Sequence, residues 1–232
     1  LTAYMEKATH EAKLHTSWIS PHAEYDEAVR EFVAAVLAPG PKNRFLDEFQ
    51  AFHEKIVDWG LYTALSQVFL KLTSPGVPDV YQGQELWDFS LVDPDNRRPV
   101  DYGLRRELLE ELAGRVAPGN DARLATAREL AAAPRDPRLK LYVTWQALQF
   151  RRRHAELFRT GRYVPLAVEG SRAAHVCAYA WQSEGASDGP PPTVVPVAPR
   201  LLAQLSLPAE QAGGSPAPVG ASRLSAMRHR RR

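Results

Sequence analysis

The stretch Leu72-Thr73-Ser74-Pro75-Gly76-Val77-Pro78-Asp79-Val80-Tyr81-Gln82-Gly83-Gln84-Glu85 contains the change of period that decides the fold class. Just before it, Leu61, Leu65, Val68, Phe69 and Leu72 recur at helical spacing. Ser74-Pro75-Gly76 is a turn signal. Val77 to Tyr81 then reads as a short β-rich run, with a proline near its start where a missing N–H does least harm. A helix, a tight turn and a short buried strand in that order form half of a βαβ repeat. The reading is α/β.

Upstream, Phe45, Phe49, Phe52 and Ile56 place an apolar stripe on the same helical period, with Gly60 as its weak point. Tyr25, Ala28, Val29, Phe32, Val33, Val36 and Leu37 form an earlier helix. Ser20-Pro21 would start it, and Pro39-Gly40-Pro41 stops it. Leu1 reads as mid-helix. Downstream, Leu86 to Gly103 has no period but is dense in polar and aromatic groups, which makes it a candidate functional loop. Helical patterns resume at Leu104 to Arg115, at Ala122 to Ala133, and from Asp136-Pro137 to Phe158. Val164, Leu166 and Val168 alternate, as do Val176, Ala178 and Ala180, and Thr193 to Val197 makes a third run. The expected order is α/β first, then the start of an all-β unit.

Composition excludes several classes. The chain has 232 residues, 44% hydrophobic and 24% charged, with a net charge of +2, so neither disorder throughout nor a global field for nucleic acid is expected. No apolar run approaches the roughly 20 residues of a membrane span, so no membrane partner is expected. The lone Cys177 excludes an internal disulfide and a Cys-based zinc cluster, and a reducing, cytoplasmic setting follows as the expectation. From Ser183 onward there are six basic and three acidic residues and eight of the 19 prolines. Residues 208–232 are read as a disordered or aberrant tail. Its arginines (Arg223, Arg228, Arg230, Arg231 and Arg232) would give only sequence-blind contact with nucleic acid, and a solvated end is the simpler reading.

The common catalytic motifs are missing: no Gly-rich phosphate loop, no His-Glu-x-x-His, no Gly-x-Ser-x-Gly. The seven histidines read as surface or helix-packing residues, and Asp47-Glu48 and Glu110-Glu111 as solvated helix faces. Two segments stand out. Tyr81-Gln82-Gly83-Gln84-Glu85 lies just past the predicted strand, and in a parallel barrel the active site gathers at strand C-terminal ends. Asp93-Pro94-Asp95-Asn96-Arg97-Arg98-Pro99-Val100-Asp101 holds two arginines between carboxylates, which could bind sugar hydroxyls or pin the loop. Asp93 and Asp95 read as turn caps. Trp87 could stack on a sugar ring or pack inward.

At these residues a resemblance becomes specific. Pro75-Gly76-Val77-Pro78-Asp79-Val80-Tyr81-Gln82-Gly83-Gln84-Glu85 is similar to the segment leading into and past the eighth strand of α-amylase-superfamily barrels, family 13 of the glycoside hydrolases. Glu11 to Ile19 and Glu85 to Asp101 narrow this to the malto-oligosyltrehalose synthase family. The resemblance implies an intramolecular transglycosylase that turns the reducing-end α-1,4 linkage of a malto-oligosaccharide into α,α-1,1. The chemistry follows a retaining glycosidase, with no metal or organic cofactor. It also implies that Tyr81, Gln82, Glu85, Asn96, Arg97 and Arg98 line the sugar site. No catalytic residue is expected here, because the family's carboxylates sit on the fourth, fifth and seventh strands, whose motifs do not occur in this sequence. Tyr62 and Thr63 stand where that family favours Asn and Ser.

The expected organisation is therefore the C-terminal part of a (β/α)8 barrel with a helical insertion. Residues 1–74 would hold the insertion and last-but-one barrel helix, 75–160 the final strand, site loop and following helices, and 161–207 the start of the β domain. A barrel alone needs roughly 250 residues, so the expected partners are the malto-oligosaccharide and an N-terminal part of the same enzyme. The isolated chain is expected to be inactive. The rival readings are another glucan- or trehalose-modifying member of the superfamily, or a non-catalytic carbohydrate-binding fragment.

Overall fold

The computed structural model describes residues 1–117, 119–183 and 192–206; the expectation for residues 208–232 lies outside this range. The elements in chain order are α1 (Thr2–Ala12), α2 (Ala23–Leu37), α3 (Arg44–Thr73), α4 (Tyr102–Val116), α5 (Asn120–Ala131), α6 (Pro137–Arg153) and α7 (Ala155–Thr160). They continue with β1 (Arg162–Pro165), β2 (Val176–Gln182), β3 (Thr193–Val194), β4 (Val197–Pro199) and α8 (Leu202–Ser206). Among the described residues no helix is long and apolar enough to cross a membrane.

Three helix starts carry an Asn or Asp cap. The side chains of Asn43, Asp101 and Asp136 accept from the backbone N–H groups of Leu46, Leu104 and Arg138. Each satisfies one of the donors that a helix start leaves orphaned. At α2 the cap is His22, whose ring accepts from Tyr25 N, and not the Ser20-Pro21 pair. Gly60 leaves no break: α3 runs unbroken for 30 residues, since one glycine costs only about 1 kcal/mol against alanine. The helix expected to reach Phe158 divides at His154 into α6 and α7.

One expected element does not form within the described residues. Val77 to Tyr81 has no ladder partner among the described residues and forms no strand. A strand exists through hydrogen bonds to a neighbour, and the local sequence encodes only the side chains that such a neighbour would suit. The first half of α3 is likewise bare, with Phe45, Phe49 and Phe52 each more than half exposed.

Two apolar clusters hold what is packed. Leu112, Val116, Leu130, Leu139, Leu141 and Tyr142 join α4, α5 and α6, and Leu86 of the site loop inserts among them. Phe158, Tyr179 and Trp181 join α7 to the antiparallel sheet, where β2 pairs with β1 (Tyr163 opposite Trp181), β3 (Trp181 opposite Val194) and β4 (Cys177 opposite Ala198).

The two clusters meet at the C-terminal end of α3. Arg151 donates to the carbonyls of Leu72 and Ser74 at 3.1 Å each, and to Gly76, with its guanidinium 4.7 Å from the Phe158 ring centroid. The Trp181 indole N–H donates to Thr73 O at 2.7 Å, and the Tyr179 hydroxyl lies 2.5 Å from Thr73 Oγ1. Side chains from α6 and β2 thus satisfy the orphan carbonyls that end α3 and fix the turn from which the site segment departs.

Candidate functional site

The segment after that turn wraps around one arginine. Arg105, in the first turns of α4, donates to Glu85 Oε2 (3.0 Å), Gly83 O (2.5 Å) and Asp101 O (3.0 Å). Gly83 sits at φ +90°, a left-handed turn that favours glycine, and a Cβ there would crowd Val100 Cγ2 at 3.1 Å.

The loop from Trp87 to Asp101 is held by its own polar groups. Asp88 Oδ1 accepts from the Ser90 N–H and hydroxyl, at 2.9 and 2.5 Å. The Ser90 hydroxyl, then its N–H, hold the Asp88 carboxyl below the usual range. Asp95 Oδ2 accepts from Leu91 N at 2.8 Å, and a 3₁₀ turn follows at Asp95–Arg97. Arg97 reaches Asp93 Oδ2 at 2.7 Å, the main reason the Asp93 carboxyl is also held low. Arg98 donates to Asp95 O (2.9 Å) and Ser90 Oγ (2.8 Å). Lys7 of α1 donates to Asp93 O, tying the loop to the N-terminal helices.

Between this loop and the start of α4 lies a cavity of about 320 Å³. Of the six residues singled out in the sequence, Gln82, Asn96 and Arg98 line it. Tyr81 is exposed beside it, Glu85 is held by Arg105, and Arg97 by Asp93. The rest of the wall includes Trp87, Asp88, Ser90, Asp95, Asp101 and Arg105. Such a lining, mostly hydrogen-bonding groups with one aromatic ring and the apolar side chains of Pro99 and Val100, suits a polyhydroxylated ligand. Asn96 Oδ1 is buried and has no hydrogen-bond partner.

Sequence reasoning passed over Arg105 and Lys140. Arg105 stands four residues beyond the helix cap Asp101, a position that reads as an ordinary exposed arginine. Lys140 lies over the Trp87 ring, 5.7 Å from its centroid, and burial lowers its pKa. Among the described residues no three His, Cys, Asp or Glu side chains gather to hold a metal ion.

Comparison with known proteins bears on the whole arrangement. No family model matches the chain. A putative maltooligosyl trehalose synthase of Mycobacterium tuberculosis is 39% identical over 179 residues, which is 77% of this chain and 20% of the relative. The chain is homologous to the maltooligosyl trehalose synthases. A crystal structure of a maltooligosyl trehalose synthase matches 78% of this chain and 23% of its own at 32% identity, with a TM-score of 0.65. The maltooligosyltrehalose synthase of Arthrobacter ramosus matches 92% of this chain and 24% of its own at 30% identity, with a TM-score of 0.64. The chain spans about a fifth of the length of the curated maltooligosyl trehalose synthases that it matches.

Proposed function

We propose that this chain is the C-terminal portion of a family 13 intramolecular transglycosylase of trehalose biosynthesis, acting on malto-oligosaccharides in the cytoplasm. Val77 to Tyr81 would be the eighth strand of a (β/α)8 barrel whose other strands lie outside this chain. The antiparallel sheet around β2 would begin the all-β domain. Tyr81, Gln82, Glu85, Asn96, Arg97 and Arg98 would form one wall of the sugar site, with the catalytic carboxylates elsewhere. The observation that carries this reading is the polar cavity directly after a strand-like segment that finds no neighbour.

In that reaction a carboxylate forms a covalent glycosyl-enzyme, and the released glucose re-attacks through its anomeric hydroxyl. The wall contributed here would orient the glucose and keep water out during the exchange, since water reaching the glycosyl-enzyme gives hydrolysis. Its donors and acceptors are pre-fixed by the Arg105 and Arg98 bonds, so little ordering remains to be done on binding.

A chimera tests the reading. This chain replaces the matching region of the Arthrobacter ramosus enzyme, and maltopentaose is the substrate. We expect a non-reducing 1,1-linked product from the chimera and none from the isolated chain. A folded chimera that makes no 1,1-linked product, or an isolated chain that does, overturns it.

A further inference from the structure

We propose that the bare first half of α3 is a two-fold interface, on which a second copy of this chain lays its own α3 antiparallel to the first. The inference stands on that exposed face and is independent of the saccharide reading above.

Spacing is the first observation. Phe45, Phe49, Phe52 and Ile56 are separated by four, three and four residues, so the stripe reads the same in both chain directions. Those intervals keep all four side chains on one face of the helix. They are 56, 52, 57 and 39% exposed, so the face is open along its whole length. Turned end for end about an axis between Phe49 and Phe52, it presents Phe45 to Ile56 of the second copy, and Phe49 to its Phe52. A patch that complements itself under a two-fold rotation is what a closed dimer requires.

Charge is the second. Glu48 and Lys55 stand two turns apart on the same flank of the stripe, and both are exposed. In an antiparallel pair the same flanks of the two helices meet. The rotation that matches the apolar residues brings Lys55 of the second copy within two residues of Glu48, about 3 Å of helix rise. Arg44 already holds Glu48 at 3.3 Å, so each Glu48 carboxylate would lie between two cations, once on each side of the axis. A parallel pair would instead set Glu48 against Glu48 and Lys55 against Lys55. Complementary charge thus selects the second copy and its direction. Third, Phe32, Ala35, Val36 and Pro39 enclose with Phe45 a hollow of about 660 Å³. It lies at the end of the stripe where Ile56 of the second copy arrives, and it carries the contact from α3 onto α2.

Sedimentation velocity of the whole chain at low salt reads the dimer. We expect wild type to dimerise and Glu48→Lys to raise the dissociation constant about tenfold, because a carboxylate between two cations becomes a third cation. Adding Lys55→Glu to that variant should return the constant to within about threefold of wild type. Mixing the Glu48→Lys chain with a Lys55→Glu chain should recover the dimer in the same way. Both positions are exposed, so circular dichroism should not change; if Glu48→Lys does lose helix, Glu48→Gln carries the comparison with a weakening of about threefold. A wild-type chain that stays monomeric overturns the proposal, as does a Glu48→Lys defect that Lys55→Glu leaves uncorrected. A dimer indifferent to Glu48→Lys also overturns it, and leaves the stripe to the rest of a longer polypeptide.

Discussion

At the scale of single residues, Arg105 does what no neighbour could replace. Its planar fork spans three acceptors at once, two of them backbone carbonyls on either side of the loop, Gly83 and Asp101. Lysine carries the same charge but not that geometry. Each hydrogen bond from a charged group contributes about 1.5–3 kcal/mol, and the Arg105–Glu85 pair is shielded enough to keep much of it. We expect Arg105→Lys to speed amide exchange across 82–101 by about tenfold or more and to leave α6 protected. Hydrogen exchange read by mass spectrometry checks this, and equal protection in the variant would show that the loop is held by Leu86 and the Asp95 turn alone. Arg97 and Arg98 sit at the opposite extreme. Both are exposed and both are occupied with their own loop, the arrangement the sequence left open against direct sugar contact.

At the scale of elements, the end of α3 is the junction on which the site depends. The buried carbonyl of Leu72 has Arg151 as its side-chain donor, and leaving such a group unmade costs about 1–3 kcal/mol. Arg151→Lys cannot span Leu72, Ser74 and Gly76 together. It should lower stability by about 1–3 kcal/mol in urea titration and release the Ser74 to Val77 amides first; an unchanged midpoint would reduce Arg151 to a surface charge. The same junction shows what the sequence could and could not reveal. The helices α2, α4 and α5 were legible because each carries its own period and stop, and Asp136-Pro137 announced α6 outright. Arg151, Tyr179 and Trp181 were not legible as partners of the α3 end, because their contacts span 75 to 109 residues and leave no local trace. Val77 to Tyr81 read as a strand for the opposite reason. Its residue types are local and visible, and the neighbour that would make it a strand is not. The candidate loop was found by its lack of period together with its polar content, while its hub, Arg105, lay in the helix beyond it.

At the scale of the molecule, the apolar surface is unevenly spent. The clusters around Leu112 and Trp181 are buried, yet Phe32 of α2 and Phe45, Phe49 and Phe52 of α3 stand open to solvent. Phe45 and Phe49 stack at 6.0 Å between centroids, and Phe49 stacks on His53 at 6.2 Å, so these rings form a ladder and not scattered single residues. A contiguous patch of this kind marks an interface, and relatives about four times as long as this chain hold ample chain to cover it. Presented alone, the same surface should pair with another copy. We expect the isolated chain to self-associate in sedimentation velocity across the micromolar range. The double substitution Phe45→Glu and Phe49→Glu should shift it toward monomer. Neither side chain is buried, so stability should change by no more than about 0.5 kcal/mol per site, the usual range for surface substitutions. Association that persists in the double variant would place the sticky surface elsewhere, with the backbone of Val77 to Val80, which joins no ladder among the described residues, as the next edge to test. A wild-type chain that stays monomeric throughout would mean that the ladder is not an adhesive surface at these concentrations, and the case for a covering partner on α3 would fall with it.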